Sequence, residues 1–397
     1  MYSLSKSLLL LISSSLCLSS ALVIDKFAAE DSNALGNWHG CDEGDGITCT
    51  WLTNGLRIQS TDTDYSFYTQ LNNGCQDITS LSSQYLHVKL SGSTAFSIAL
   101  QQNNPQCDEA VAPYPETWDI VYAADYAVSG EIYVPLSHFN INKARAVGFA
   151  FKAFRSTATT TLTLVELVAS LPSGRTVPAK KATGSLVFQC TRPNSIAFGI
   201  DDGVPELAQQ TMKIIADAGI KVTFFTVGSA LYDSSGNFTA VYKEALARGH
   251  QVALHSMTHP KIEGLASVAL IDAEFQQSIA ALKDKLGVTT KYFRAPYGTD
   301  GALTRQRFEA AVVGGGSRII NWSIDIEDWL WGTSSTPAKQ VDAVTRDIAK
   351  GGNLFVAHYL YPSTVQYLPE FIRLAKATGK QIMRVDQCLE DPDAPPL

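Results

Sequence analysis

The sequence contains no block of lysine or arginine. Its 38 acidic residues outnumber 31 basic ones, giving a formal net charge of -7. That balance argues against nucleic acid or an anionic membrane surface as a partner. Long apolar runs are missing beyond the N-terminus. The one candidate, residues 8–18, is too short for a comfortable transmembrane span. The cysteine spacings match no zinc finger. Charged residues are sparse, 17% against 45% hydrophobic, which rules out a disordered chain and supplies material for at least one full core. A length of 397 residues suggests two or three domains.

What is present begins with an export signal. Lys6 precedes the apolar run, and Ser19, Ser20 and Ala21 follow it. A basic start, a short greasy stretch and a small-residue exit predict a signal peptide over residues 1–21, and a secreted, extracellular or cell-wall protein. The run shows no amphipathic period, so a buried first helix is the poorer reading. Cys17 would leave with the signal. Cys41, Cys49, Cys75, Cys107, Cys190 and Cys388 remain, an even number that reads as three disulfides in an exported chain. The simplest pairing joins Cys190 to Cys388 and closes the four early cysteines among themselves, in any of three ways. Two sequons occur. Asn237 follows a Ser-Ser-Gly turn and is expected to carry a glycan, whereas Asn321 lies in a strand-like run and is expected to be buried and unmodified.

The chain has two halves of different period. Over residues 22–170, Leu86, Val88 and Leu90 alternate with His87 and Lys89. Val147, Phe149 and Phe151 alternate with Gly148, Ala150 and Lys152. Period two with polar turns predicts an antiparallel β-sandwich. Residues 118–167 resemble the closing strands of a galactose-binding-like jelly roll. Trp38, Trp51 and Trp118 are either sugar-stacking platforms or core residues, the core being the commoner fate of any one of them. Residues 171–189, rich in Pro, Gly, Lys and Thr at their start, read as a linker. From residue 190 to 390 short apolar runs alternate with helical patterns, which predicts a parallel sheet closed into a small, irregular (β/α) barrel. Residues 391–397 form a tail. The helical pattern near the end is expected over 369–378.

In such a barrel chemistry sits at the C-terminal ends of strands. Those ends carry Asp201-Asp202-Gly203, His255-Ser-Met-Thr-His259, Arg294-Ala-Pro-Tyr297-Gly, Asp325-Ile-Glu-Asp328-Trp329 and His358. Each alone has a structural explanation: a turn, a cap, a salt-bridged arginine, a core tryptophan. Together they collect imidazoles and carboxylates on one rim, where buried charges need partners. His255, His259 and one carboxylate make a three-ligand metal set. Zn2+ suits it, and Co2+ or another divalent ion is compatible. The second aspartate is free to act as a base. His358, from another strand, can face it as an acid. Such a set predicts hydrolysis of an amide or ester.

These five segments, in this order, resemble the polysaccharide deacetylase family, the NodB-homology domain of carbohydrate esterase family 4, over about half the chain. The resemblance implies a distorted, incomplete barrel that removes N- or O-acetyl groups with a divalent metal. It implies Asp201 as catalytic base, Asp202, His255 and His259 as metal ligands, and Arg294 as the residue holding the base. Tyr297 would offer a backbone N–H to the oxyanion, Trp329 would form a wall of the acetyl pocket, Asp328 would tune the acid, and His358 would be that acid. Ile200 replaces the usual aromatic residue before Asp-Asp, Val356 replaces a leucine and predicts a roomier acetyl pocket, and Tyr359 stands where aspartate is common. The phrases around His255 and Arg294 and the bracketing cysteines look most like fungal chitin deacetylases. The expected substrate is chitin or a related glycan, and the expected state is a monomer. An acetyl-xylan esterase is the rival within the family. A non-catalytic wall-glycan binder is the rival outside it. The sandwich is expected to hold polymer without entering the chemistry.

Overall fold

The alternation seen in the first half builds two stacked antiparallel sheets. The computed structural model describes residues 21–397; residues 1–20, nearly all of the segment expected as a signal peptide, lie with Cys17 outside the described residues. The seven-stranded sheet runs in the order Ile47–Leu52, Gly55–Ser60, Thr160–Val168, Tyr85–Gly92, Glu131–Pro135, Ala127–Val128, with Leu22–Asp25 also on Thr160–Val168. The five-stranded sheet runs His39–Cys41, Ser66–Gln70, Ala146–Lys152, Ser97–Gln102, Thr117–Tyr122. Leu86, Val88, Phe149 and Phe151 meet between them. One polar position departs from the alternation. His87 is buried, because it stacks on Tyr133 and its Nδ1 lies 2.8 Å from Glu166 Oε1.

The five-stranded sheet is covered on both faces. Its outer face sets Ala99, Ile120 and Ala150 against Ala302 of the second domain. That contact explains why every residue of Ser97–Gln102 is buried. Of the three tryptophans, Trp51 packs on Phe27 and His39 in the sandwich. Trp118 donates its indole N–H to Asp300 across the domain boundary at 2.7 Å. Trp38 alone of these stays open, 47% exposed.

The second half is a nine-stranded sheet in which every pairing is parallel. The path runs from Ser185–Val187 through Arg318–Ile320, Tyr292–Phe293, Gln251–Leu254, Thr223–Thr226, Ser195–Gly203 and Leu354–Tyr359 to Ile324–Asp325, with Gln381–Met383 beside Ser195–Gly203. Among the described residues no pairing joins the two ends of that path, so the barrel is open. Helices fill the crossovers and stop where the sequence dictates. Pro205 opens Pro205–Ala218 and Gly219, at φ 66°, ends it. Ser267 caps Val268–Leu286 through Leu270 N, and Gly287, at φ 69°, closes it. The helix expected over 369–378 is instead Pro362–Ala377. Pro362 occupies its first turn, Pro369 lies inside it, and buried Val365 and Leu368 hold the turns before that proline. Helices Phe238–Ala247 and Ala302–Ala311 also went unread in the sequence.

The segment expected as a linker is fastened along its length. Arg175 donates to the carbonyls of Tyr126 and Glu131, Lys180 pairs with Asp119, and Thr183 Oγ1 donates to Asp119. Its last residues form the strand Ser185–Val187 of the barrel sheet. The domains are further joined by Arg305, whose buried guanidinium donates to the carbonyls of Trp118, Thr183 and Gly184. Arg155 donates to Glu263 O and Leu265 O. Lys261 pairs with Asp62 and Asp64, each at 2.6 Å. The tail is tied as well, because Tyr292 Oη and Lys291 Nζ donate to Asp391.

Disulfides join Cys41 to Cys49, Cys75 to Cys107 and Cys190 to Cys388. The last spans 198 residues and ties the chain just before Ser195–Gly203 to the chain just after its neighbour Gln381–Met383. In the chain-entropy model a loop of that length stabilises by about 5 kcal/mol. Replacing Cys190 and Cys388 together by alanine is therefore expected to lower the unfolding free energy by several kcal/mol, read from denaturant melts. Unchanged melts, or either cysteine free in peptide maps of unreduced protein, would contradict the clasp.

Candidate active site

The strand ends converge on a cavity of about 970 Å³ at the C-terminal edge of the barrel sheet. Asp201 and Asp202 come from the end of Ser195–Gly203. Gly203 has no side chain because a Cβ there would lie 2.2 Å from the Tyr359 ring. Gly199 is bare for a similar reason, since its Cβ would meet the Arg294 guanidinium at 2.4 Å. Arg294 is fully buried. It donates to Asp201 Oδ1 at 2.7 Å and to the carbonyls of Ile320, Asn321 and Phe355. Burial lowers the pKa of the guanidinium, and Asp201 opposes that shift.

The two histidines sit on a loop that turns sharply. Ser256 and His259 both adopt left-handed backbone, φ 68° and 63°. The turn is held by Glu274 of Val268–Leu286, which accepts from Met257 N, Thr258 N and Thr258 Oγ1. His255 Nδ1 lies 2.8 Å from Arg294 O, so Nδ1 donates its N–H to that carbonyl and Nε2 keeps its lone pair for a metal ion. That nitrogen is 3.5 Å from Asp202 Oδ1, and His259 Nε2 is 3.6 Å from the same oxygen. The donor atoms of Asp202, His255 and His259 all lie within 4.8 Å of one another. One carboxylate and two imidazoles at that spacing fit a divalent metal ion. Burial alone would raise the Asp202 pKa, but the hydrogen bond and charge of His255, with His358 and His259, hold it below the usual carboxylate range. Burial and the nearby His255 lower the His259 pKa, favouring the neutral, ligating imidazole.

His358 faces this set from Leu354–Tyr359. Its Nδ1 lies 2.9 Å from Asp328 Oδ1, and its N–H donates to Asp328 Oδ2 at 2.9 Å. Its Nε2 points inward, 4.0 Å from Asp201 Oδ2. Burial opposes the imidazolium, yet Asp328, and behind it Asp201 and Asp202, carry His358 up to about 10. Asp325 is pushed up to about 6 by burial and the Asp328 charge, against a hydrogen bond from Glu327 N. Tyr297, at φ 62°, sets its ring 4.9 Å from that of His259. Trp329, 65% exposed, and buried Val356 complete the lining. All the sequence-predicted residues of the pocket are thus brought together, with Arg294 behind it. Outside it, Asn237 is exposed and Asn321 buried.

The sequence reading missed one wall. Asp42, Glu43, Asp62, Asp64 and Tyr65 of the sandwich line the same cavity as the histidines. The acid-rich phrase Asp62-Thr-Asp64-Tyr65 was the available signal, but it lies about 200 positions from its partner Lys261. Lys261 follows the histidine loop and lies 5.7 Å over the Tyr297 ring.

A family model described as polysaccharide deacetylase matches residues 188–314. A chitin deacetylase of Pestalotiopsis sp is 30% identical over 216 residues, covering 53% of this chain and 69% of that protein. The peptidoglycan-N-acetylglucosamine deacetylase PgdA of Listeria monocytogenes is 27% identical over 193 residues, 48% of this chain and 38% of that protein. The solved chitin deacetylase from Colletotrichum lindemuthianum aligns with a TM-score of 0.48 at 24% identity, over 53% of this chain and 94% of that one.

Equilibrium dialysis tests the donor set without an activity assay. His255→Ala or His259→Ala is expected to weaken zinc binding severely. Glu274→Gln, which only loosens the loop, is expected to cost on the order of tenfold. Equal affinity in all of these variants and the wild type would contradict the assignment.

Proposed function

The chain belongs to the polysaccharide deacetylase family, and on that premise we propose that it is a secreted hydrolase removing N-acetyl groups from chitin or a related N-acetylhexosamine polysaccharide. A divalent ion held by Asp202, His255 and His259, Zn2+ in the first instance, would polarise the acetyl carbonyl and the attacking water. Asp201 takes the proton of that water as its oxygen adds to the carbonyl carbon. Arg294 keeps Asp201 aimed through its hydrogen bond to Oδ1. The Tyr297 backbone N–H meets the developing oxyanion. His358 gives its proton to the leaving nitrogen as the C–N bond breaks, and acetate and a free amine result. Trp329 and Val356 shape the acetyl pocket.

The observation that carries this reading is the pairing of two oppositely equipped groups across one donor set. Asp201 is held by a cation and His358 by an anion, with 4.0 Å between the facing atoms. A protein that only grips glycan needs neither arrangement. Acetate release from glycol chitin is expected to exceed that from acetylated xylan. The reverse order would replace the amidohydrolase reading with the esterase one.

Asp201→Asn is expected to retain bound zinc and lose turnover by about 10²–10⁴-fold, the usual range for a general base. His358→Ala is expected to do likewise, most severely on amides, whose leaving groups need the proton. Undiminished amide hydrolysis by His358→Ala would remove the acid from the scheme.

The acid also fixes a pH limb. His358 must be protonated to act, so activity is expected to fall as pH rises through about 10. Asp328 is the leading cause of the upward shift, and Asp328→Asn removes it. The alkaline limb of kcat/KM should then move to lower pH. An unmoved limb in the variant would show that another group sets it.

A further inference from the structure

A second cavity, about 580 Å³, lies between the outer face of the five-stranded sheet and the barrel. Trp322 and Asp325 line both this cavity and the catalytic one. The two cavities therefore adjoin along these two residues. The size falls in the range of ligand-binding clefts.

The side chains of the groove come from strand periodicity. Phe67 is packed in the sandwich core and Thr69 is buried beside it, so Tyr68 and Gln70 project outward. Ile98 and Leu100 also face the core, so Ala99 and Gln101 face outward. Trp38 lies beside this row, half exposed, with its ring 6.0 Å from that of Tyr68. Gln101 is the telling residue. It is 9% exposed, lines the cavity, and among the described residues its side-chain amide makes no hydrogen bond to the protein, so its polar atoms stay open to the cavity. An amide that no protein group uses is free to bond an occupant of the cavity. An amide offers both donors and an acceptor, and an indole or phenol offers a flat apolar face with a polar edge. Those are the complements of a pyranose ring, with its apolar C–H face and its rim of hydroxyl and acetamido groups.

We propose that this groove binds the sugar units adjoining the one being deacetylated, with Trp38 and Tyr68 as a stacking platform and Gln70 and Gln101 as hydrogen-bonding groups. The proposal rests on the deacetylase reading and deepens it: the sandwich becomes part of the substrate site of the barrel. A tethered binding module would act by local concentration and matter little for short soluble substrates. A subsite continuous with the catalytic pocket acts on soluble oligomers, and its effect grows as the chain becomes long enough to enter it.

The test is acetate release by zinc-loaded full-length protein on chito-oligosaccharides from dimer to hexamer. Wild-type kcat/KM is expected to rise with length. Trp38→Ala and Gln101→Ala are expected to lose about tenfold on the hexamer, with a loss that shrinks as the oligomer shortens. Trp38→Phe, which keeps a stacking face, should recover most of it. Val313→Ser, at a 95% exposed position outside both cavities, serves as the control and should match wild type at every length. A uniform loss at all lengths, or no loss in either groove variant, overturns the groove while leaving the deacetylase reading intact. A wild-type protein that releases no acetate from any oligomer overturns both.

Discussion

The buried pair of Arg294 and Asp201 holds the site together. A guanidinium removed entirely from water is tolerated only when its donors are used, and here one goes to the carboxylate and others to three backbone carbonyls. Those carbonyls come from two strands that are not neighbours, Ile320 and Asn321 at the end of Arg318–Ile320 and Phe355 within Leu354–Tyr359, so the Arg294 side chain ties together a sheet whose ends no pairing joins among the described residues. The carbonyl of the same residue orients His255. Asp201 and His255 are thereby both referenced to a single residue. Removing one member of such a pair typically costs about 3–5 kcal/mol, because the other is left charged and buried.

The parts of this arrangement that were legible in the sequence share a cause. A polar, titratable residue at the end of an apolar run is conspicuous, and Asp201, His255, Arg294 and His358 all have that form. The antiparallel sandwich and the parallel barrel were legible because periods of two and of strand–helix alternation survive in the chain. What could not be read depends on pairings between distant positions. Nothing local marks Asp62 and Asp64 as partners of Lys261, or Glu274 as the anchor of the histidine loop. His87 looked like the polar half of an alternation until Glu166 and Tyr133 gave it a buried place. Pro369 looked like a helix start because proline is favoured there, yet Pro362 had already filled that role.

The two domains share more than a boundary. Arg305 crosses it with a buried guanidinium and Arg155 with a partly buried one, and the five-stranded sheet uses one face for its own core and the other for the barrel. The intervening segment is pinned to the sandwich before it enters the barrel sheet. Composition had marked that stretch as a spacer, since prolines, glycines and lysines are the residues of loose chain. Its lysines and arginines are in fact spent on Asp119, Asp125 and backbone carbonyls of the sandwich. The result is a composite pocket, with the Asp202, His255 and His259 donor set on the barrel side and acidic and aromatic walls on the other.

Gly203 and Tyr359 impose an order on mutational history. The ring of Tyr359 fills the space that a Cβ at position 203 would need, and its hydroxyl meets that of Tyr242. Any side chain at 203 is barred while the tyrosine remains. A lineage that gained a side chain at 203 would have to change Tyr359 first, passing through an intermediate with a hollow beneath Ser195–Gly203 and a Tyr242 hydroxyl without its Tyr359 partner. The two sites are therefore epistatic, and substitutions tolerated at either one in a relative cannot be transplanted here singly.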